Sequence, residues 1–302
     1  MVSPANTYAC LTRRGPGCVR GELAKYYPAG KRNYARIVGN DVYQGAALAE
    51  FMRQQGVERL FVVHDGETYG MGVATAVQRA AAALGIDVVG SAVWDPEETS
   101  YESLFRDVSR ARADAVFLGG LLERNGAQVI EDKVNVLGRN DGAVRLFASD
   151  GFTTRRTTTE AGAAADGMFT AAAGVPISEL GERARAFVEA FRSQRLGGRR
   201  ADPFAVYAAE SARVLLDAIA ASNGTRAGVI ARLFETKVRN GLLGSYRISR
   251  SGDPASARGP VVGFTIYRAA RELEPYSVVW PDPKTARAAA AGQPAAPTTS
   301  GG

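Results

Sequence analysis

His64-Asp-Gly-Glu-Thr-Tyr-Gly-Met-Gly72 follows the apolar run Arg59-Leu-Phe-Val-Val63 and precedes a stretch in which Val73, Val77, Ala80, Ala81 and Leu84 recur at helical spacing. A strand, a polar turn and a helix in that order make the unit from which parallel sheets are built. The turn lies at the carboxyl end of its strand, where open α/β proteins place their ligands. Tyr69 thus sits at the mouth of a sheet, where an isolated tyrosine usually serves surface packing.

The same alternation extends on both sides. Apolar runs near 60–64, 88–93, 115–118, 145–149 and 167–171 interleave with helix-period segments at 45–54, 70–84, 101–110 and 125–137. From Asn33 to about Ala173 this predicts a doubly wound parallel α/β sheet with helices on both faces. The character then changes. Long helical patterns at 179–195 and 204–221 are separated by the breakers Gly197-Gly198 and Asp202-Pro203. A third helix is expected over 225–237, followed by two late strands, 244–249 and 261–267. Beyond Asp282 the chain is Ala, Gly, Pro, Ser and Thr with few large apolar groups, so 282–302 is expected to be a disordered tail.

Composition narrows the function classes. The 302 residues are 46% hydrophobic and 23% charged, an ordinary balance for a chain that buries a core. No apolar run is long enough to span a bilayer, and Met-Val-Ser-Pro-Ala-Asn-Thr7 lacks the basic and apolar regions of an export signal. The net charge of +6 raises a nucleic-acid partner as a question. Seven Lys and Arg lie between Arg13 and Arg36 against the single Glu22, but Gly15-Pro16-Gly17 and Pro28 interrupt them, so they read as solvated surface. Cys10 and Cys18 have no second pair and no nearby His to complete a zinc site; they are two free thiols or, in an oxidising compartment, a local disulfide, free thiols being the simpler expectation.

Catalytic patterns are sparse. His64 is the only histidine and has no neighbouring nucleophile, so it reads as a structural residue at a strand end. Gly70 and Gly72 open a helix that favours an anion, but neither G-x-G-x-x-G nor G-x-x-x-x-G-K-[ST] occurs. No cofactor, no metal and no enzymatic activity are expected.

Several segments in consistent order resemble those of one family. Val2-Ser-Pro-Ala-Asn-Thr7, Tyr34-Ala-Arg-Ile-Val-Gly-Asn-Asp-Val-Tyr-Gln-Gly45, the stretch around Tyr69, Ala115-Val-Phe-Leu-Gly-Gly120, Leu146-Phe-Ala-Ser-Asp-Gly151 and Asp202-Pro-Phe-Ala-Val-Tyr-Ala-Ala-Glu-Ser-Ala212 are similar to the bacterial amino-acid solute-binding proteins of the Leu/Ile/Val-binding type. These are the bilobed periplasmic binding proteins of ABC importers. The resemblance implies a two-lobed periplasmic-binding-protein fold, type 1, with an incomplete first lobe, because the family carries three or four more strands ahead of the position matched by Met1. On this basis 1–38 is a remnant of the first lobe and crossover, 39–172 the second lobe, 173–242 a helical return to the first, and 243–281 the late strands and final crossover.

In that family a solute sits between the lobes, its α-carboxylate held by hydroxyls and backbone N–H groups of the first and its α-ammonium by a carboxylate of the second. Thr7 matches the hydroxyl, with Ala5 contributing backbone contact nearby. Tyr69 matches the aromatic cover and Asp150 the acidic partner, although Asp150 also suits the N-cap of a following helix. Leu121 stands where the family has another lining aromatic, and its second carboxylate-binding serine lies ahead of this chain. One charge-assisted bond fewer costs about 1.5–3 kcal/mol. Tyr207, with Phe204, opens the long second helix and either reaches the cleft or packs in the core. The implied function is a substrate-binding component for branched-chain or related amino acids, impaired in a partial chain, with a permease and ATPases as partners, no nucleic acid, and a periplasmic or cell-surface location peripheral to the membrane. The alternative is a ligand-sensing regulatory module of the same fold.

Overall fold

The computed structural model describes residues 1–194, 204–255 and 262–291. Two short strands, β1 (Val2–Ser3) and β2 (Ala35–Arg36), pair in parallel, and α1 (Glu22–Tyr26) lies between them in sequence. The chain then crosses into a larger lobe and alternates through α2 (Asp41–Gln54), β3 (Arg59–His64), α3 (Thr68–Ala83), β4 (Asp87–Val93), α4 (Glu102–Arg110), β5 (Ala115–Gly119), α5 (Gly126–Leu137), β6 (Arg145–Ala148), α6 (Arg155–Glu160) and β7 (Phe169–Ala173). It returns through α7 (Glu182–Ser193), α8 (Phe204–Ala220) and α9 (Arg226–Phe234) to an antiparallel trio, β8 (Lys237–Gly241), β9 (Gly244–Ile248) and β10 (Pro254–Ala255). A last crossing brings β11 (Phe264–Ala269), β12 (Leu273–Val279) and α10 (Pro283–Ala290) back to the larger lobe.

The large sheet runs β12-β11-β7-β6-β5-β3-β4. Its five strands from β3 to β7 are parallel, and β11 and β12 extend it antiparallel. Alternation along each strand feeds two cores. Leu60, Val62, Ala115, Phe117 and Phe147 point to the face covered by α2, α3 and α10, whereas Phe61, Val63, Val116, Leu118, Leu146 and Ala148 pack toward α4 and α5. Burying each of the larger side chains contributes about 1.5–3 kcal/mol. This double burial is why the strands read as continuous apolar runs.

Several expectations are corrected. The two late strands are present with shifted bounds, as β9 in the small antiparallel sheet and as β11, which begins at Phe264, in the large one. The third helix ends at Phe234, and Lys237 already starts β8. The seventh helix ends at Ser193, and Arg195, Gly197, Gly198, Asp202 and Pro203 lie outside the described residues.

The expected disordered tail is a helix over its first part. Asp282 caps α10, its Oδ1 accepting from the Lys284 N–H at 2.6 Å, and Pro283 supplies a preset first helical residue. Ala286 and Ala289 are buried against α2 and α3. Those helices present Ala46, Ala47, Ala76 and Ala80 to the same core. Small side chains on both partners permit close helix packing, so large apolar groups are not required. Residues 292–302 of that tail lie outside the described residues.

The cysteines are joined, which corrects the reading of free thiols. Gly15-Pro16-Gly17 reverses the chain, with Gly17 at a φ of +79°, so that Cys10 and Cys18 approach to 5.6 Å between Cα atoms. The basic stretch is also not wholly solvated, since Arg36 is completely buried.

Candidate functional site

The turns at the carboxyl ends of the large sheet's strands carry the groups singled out from sequence. Tyr69 comes from the first turn of α3, following β3. Its hydroxyl donates to Asp150 Oδ1. Asp150 begins a single 3-10 turn after β6, and the N-cap of α6 is Thr154, so Asp150 is not a helix cap there. From the smaller lobe, the buried Thr7 donates its hydroxyl to Asp150 Oδ2 at 3.5 Å. Thr7, Tyr69 and Asp150 therefore meet at one place between the lobes.

The other expected residues lie around or away from this trio. Ala5 is exposed, its N–H 3.5 Å from Ser3 Oγ. Leu121 follows β5, 39% exposed, and lies against the Gly151 backbone beside Asp150. Tyr207 does not join them. It is buried in the core, its hydroxyl accepting from the Val175 N–H at 2.8 Å, and burial pushes its phenol up to about 12. It lines a crevice of about 40 Å³ with Ile37, Gly39, Gly174, Val262 and Trp280, where the chain crosses between lobes. That space suits a water-sized occupant, not an amino acid.

Two supports hold the site in place, and neither is visible in a linear motif. Asp65 accepts from the Glu67 and Leu121 N–H groups at 3.0 and 3.1 Å, tying the turn after β3 to the turn after β5. Any Cβ on Gly70 would fall 2.1 Å from Asp65 Oδ1, so the glycine beside Tyr69 is dictated by this tie. His64 stays structural, its Nδ1 accepting from the Gly66 N–H at 3.1 Å, and burial lowers its pKa.

The second support fixes the loop that carries Thr7. Arg36 donates to the carbonyls of Asn6 and Tyr8, both at 2.9 Å, to Thr12 Oγ1 at 2.7 Å and to Asp253 Oδ1 at 2.9 Å. Arg13 donates to Asp253 Oδ2 at 2.6 Å. Burial alone would raise the Asp253 carboxyl, but Arg36, Arg13 and the Thr12 hydroxyl hold it below its ordinary value. A charged guanidinium satisfied on every side acts here as the core of the loop.

Across the lobes, the disulfide-closed loop rests on α3. A Cβ on Gly17 would come within 2.6 Å of the Gly72 Cα, and Gly72 lies against the Pro16 carbonyl. The first turn of α3 is thereby covered, which removes it as an open anion site.

Asn40, Asp41 and Gln44 belong to the same place and were not singled out from sequence. They lie at the start of α2, all at least 98% buried. Burial and the neighbouring Asp150 push the Asp41 carboxyl up to about 7. Burial likewise raises Asp150, and burial with both acids raises Tyr69 well above its ordinary value. The Asn-Asp-x-x-Gln spacing, which places these side chains on one helical turn, is the signal that could have found them. Chemically the arrangement offers two acids, a phenol, a hydroxyl and two amides, with no nucleophile paired to a base.

A family model for periplasmic binding proteins matches residues 24–264. No curated protein sequence matches the chain significantly. Among solved structures, it is similar to the leucine-binding protein LivK from Thermotoga maritima, at 20% identity and a TM-score of 0.75, covering 93% of this chain and 73% of that one. An ABC transporter substrate-binding protein from Desulfitobacterium hafniense in complex with Leu is 21% identical, with a TM-score of 0.71 and coverage of 91% and 72%. The branched-chain amino acid transporter substrate-binding protein LivJ from Streptococcus pneumoniae in complex with isoleucine gives 16%, 0.71, 93% and 72% in the same order.

Proposed function

Because this chain belongs to the periplasmic binding protein family, a family of non-enzymatic substrate-binding proteins, we propose that it is the substrate-binding component of an ABC importer for branched-chain or related amino acids. The observation that carries this reading is the meeting of Thr7 from one lobe with Tyr69 and Asp150 from the other. A hydroxyl donor suits a carboxylate, an acid suits an ammonium, and an aromatic beside them excludes water and strengthens both contacts. Closure of two lobes on a zwitterion uses both of its poles. The likeness to LivK, LivJ and the leucine complex supports the amino-acid class.

Thr7 would serve the carboxylate, with the Ala5 backbone as a further contact nearby. A membrane permease with its ATPases would read the closed shape, at the periplasmic or outer face of a membrane. No helix among the described residues is long and apolar enough to cross a membrane.

Titration calorimetry of the full chain with leucine, isoleucine, valine and glutamate tests the proposal. Heat is expected with at least one branched-chain amino acid, and Asp150→Ala is expected to weaken it roughly ten- to hundredfold. No heat from any of the four at millimolar concentration overturns the reading.

A further inference from the structure

The first turn of α2 carries an unresolved polar cluster. Asn40 Oδ1 accepts from the Val42 N–H at 3.1 Å and so caps the helix, but its Nδ2 has no partner. Neither carboxylate oxygen of Asp41 and neither polar atom of the Gln44 amide completes a well-aligned hydrogen bond, although the Thr7 hydroxyl and the Ala9 N–H lie near enough to Asp41, and Gln44 near enough to Asp150, to offset part of the cost of burial. These five atoms are buried, and a polar group left poorly paired in the interior destabilises the fold, a charged one most. Native structures hold few such groups, and a cluster of them asks for a polar complement.

The cluster faces the site. Asp41 lies close enough to Asp150 for the two carboxyls to repel, and Gln44, Tyr69 and Thr7 all approach Asp150. Arg36 on β2 is a cation whose charge reaches Asp41, but its N–H groups are directed to Asp253, Thr12 and the Asn6 and Tyr8 carbonyls. Tyr8, from the loop after β1, and Tyr69, from α3, are further titratable groups that Asp41 influences. Tyr8 donates its hydroxyl to Glu22 at 2.8 Å and Tyr69 to Asp150, so neither neutralises Asp41.

The geometry points to Asp41 as a second acidic residue of the binding site, sharing the ligand's ammonium with Asp150, with Gln44 beside them as a further polar contact. This assignment rests on the reading above and deepens it: the solute class is one bearing a primary ammonium, whose three N–H groups can meet two carboxylates at once. An N–H-poor amine or a carboxylic acid lacking the amine leaves one or both acids unpaired and is rejected.

Two buried carboxyls this close share a proton when nothing cationic lies between them. An entering ammonium replaces that proton, so binding releases it. Because the folded-state pKa of Asp41 is raised, the protonated pair is fully stabilising below the ordinary carboxylate range, and that stability is lost as pH rises toward about 7. Affinity runs the other way and falls as the solution becomes acidic.

The test compares wild type with Asp41→Asn by calorimetry with leucine at pH 6 and pH 8, in pairs of buffers of different ionisation enthalpy, and by thermal unfolding without solute. Wild type is expected to release close to one proton per leucine at pH 6 and to bind several-fold more weakly there than at pH 8. Asp41→Asn is expected to melt higher than wild type at pH 8, bind leucine about tenfold or more weakly at pH 8, and release no proton. A merely structural aspartate gives a lower melting temperature with unchanged affinity and proton release, and that result overturns the assignment while leaving amino-acid binding intact. Isoamylamine, 4-methylpentanoate and N,N-dimethylleucine serve as probes: tight binding of the last two also overturns it. If wild type takes up no amino acid at either pH, the reading above fails and this assignment falls with it.

Discussion

Among the largest wholly buried side chains, the large lobe supplies Phe51, Phe105, Phe117, Phe147 and Phe264 together with Lys133, while β2 of the small lobe supplies Arg36. In the first, Phe51 packs edge-on against Phe147 and Phe169, and Phe147 stacks on Phe169 at 5.5 Å, a core made by dispersion and removal of apolar area from water. In the second, apolar packing comes from α8, α9 and β9, through Val214, Leu233, Tyr246 and Ile248, but β1 and β2 have two residues each and the loop between them is held by an ion network and a covalent bridge. The difference teaches that the half of the site carrying Thr7 depends on directional bonds, and the half carrying Tyr69 and Asp150 on packing. Directional bonds fail one partner at a time, whereas packed cores fail cooperatively.

The largest expected effect is at Arg36. Arg36→Ala leaves Asp253 buried with only the partly exposed Arg13, and breaking a buried pair in this way costs about 3–5 kcal/mol. Urea unfolding with hydrogen exchange is expected to show protection lost first around β2 and the β8–β10 sheet, with β5 and β6 amides retained. If β5 and β6 open at the same urea concentration, the lobes form one cooperative unit and the contrast between them is wrong.

A smaller effect belongs to the bridge. Joining cysteines eight residues apart removes chain entropy worth roughly 2–3 kcal/mol from the unfolded state. A Cys10→Ala/Cys18→Ser variant is expected to lose that amount in the small lobe and to loosen the Gly17 contact with α3, read as faster exchange at the start of α3. Unfolding midpoints of the wild type with and without reductant provide the second measurement. Equal midpoints would show that the ion network holds the loop unaided.

The smallest expected change sharpens the comparison from the other side. Asp282→Ala removes the cap of α10 and costs about 1 kcal/mol, confined to that helix, because Ala286 and Ala289 still pack on α2 and α3. Exchange of the α10 amides should rise while β3 stays protected. Loss extending into β3 would mean that α10 is part of the central cooperative core.

The chain's local patterns were informative where packing is periodic. Leu60, Phe61, Val62 and Val63 alternate between two buried faces, and the helices that follow carry their apolar residues at helical spacing, so the parallel sheet and its covering helices could be read residue by residue. Strands β8 and β12 escaped because Lys237-Val-Arg-Asn-Gly and Leu273-Glu-Pro-Tyr-Ser are polar edge segments whose pairing comes from their neighbours. Helix α10 escaped because alanine reads as featureless until its partner surface is known. In the candidate site, family resemblance singled out Thr7, Tyr69 and Asp150, but Asp41 reads as an ordinary acid at a helix start. Tyr207 has the aromatic character of a cleft residue and is instead committed to Val175.

Sequence by itself determined the alternation of strand and helix and the two apolar faces of the sheet, since each depends on residues within a few positions of one another. Only the tertiary structure decided that Arg36 would be neutralised by Asp253, 217 residues away, and that Asp41 would face Asp150. The physical reason is that hydrophobic periodicity is a property of neighbouring side chains, whereas the energy of two charges depends on their separation and on the water between them, and both are set by the path of the whole chain.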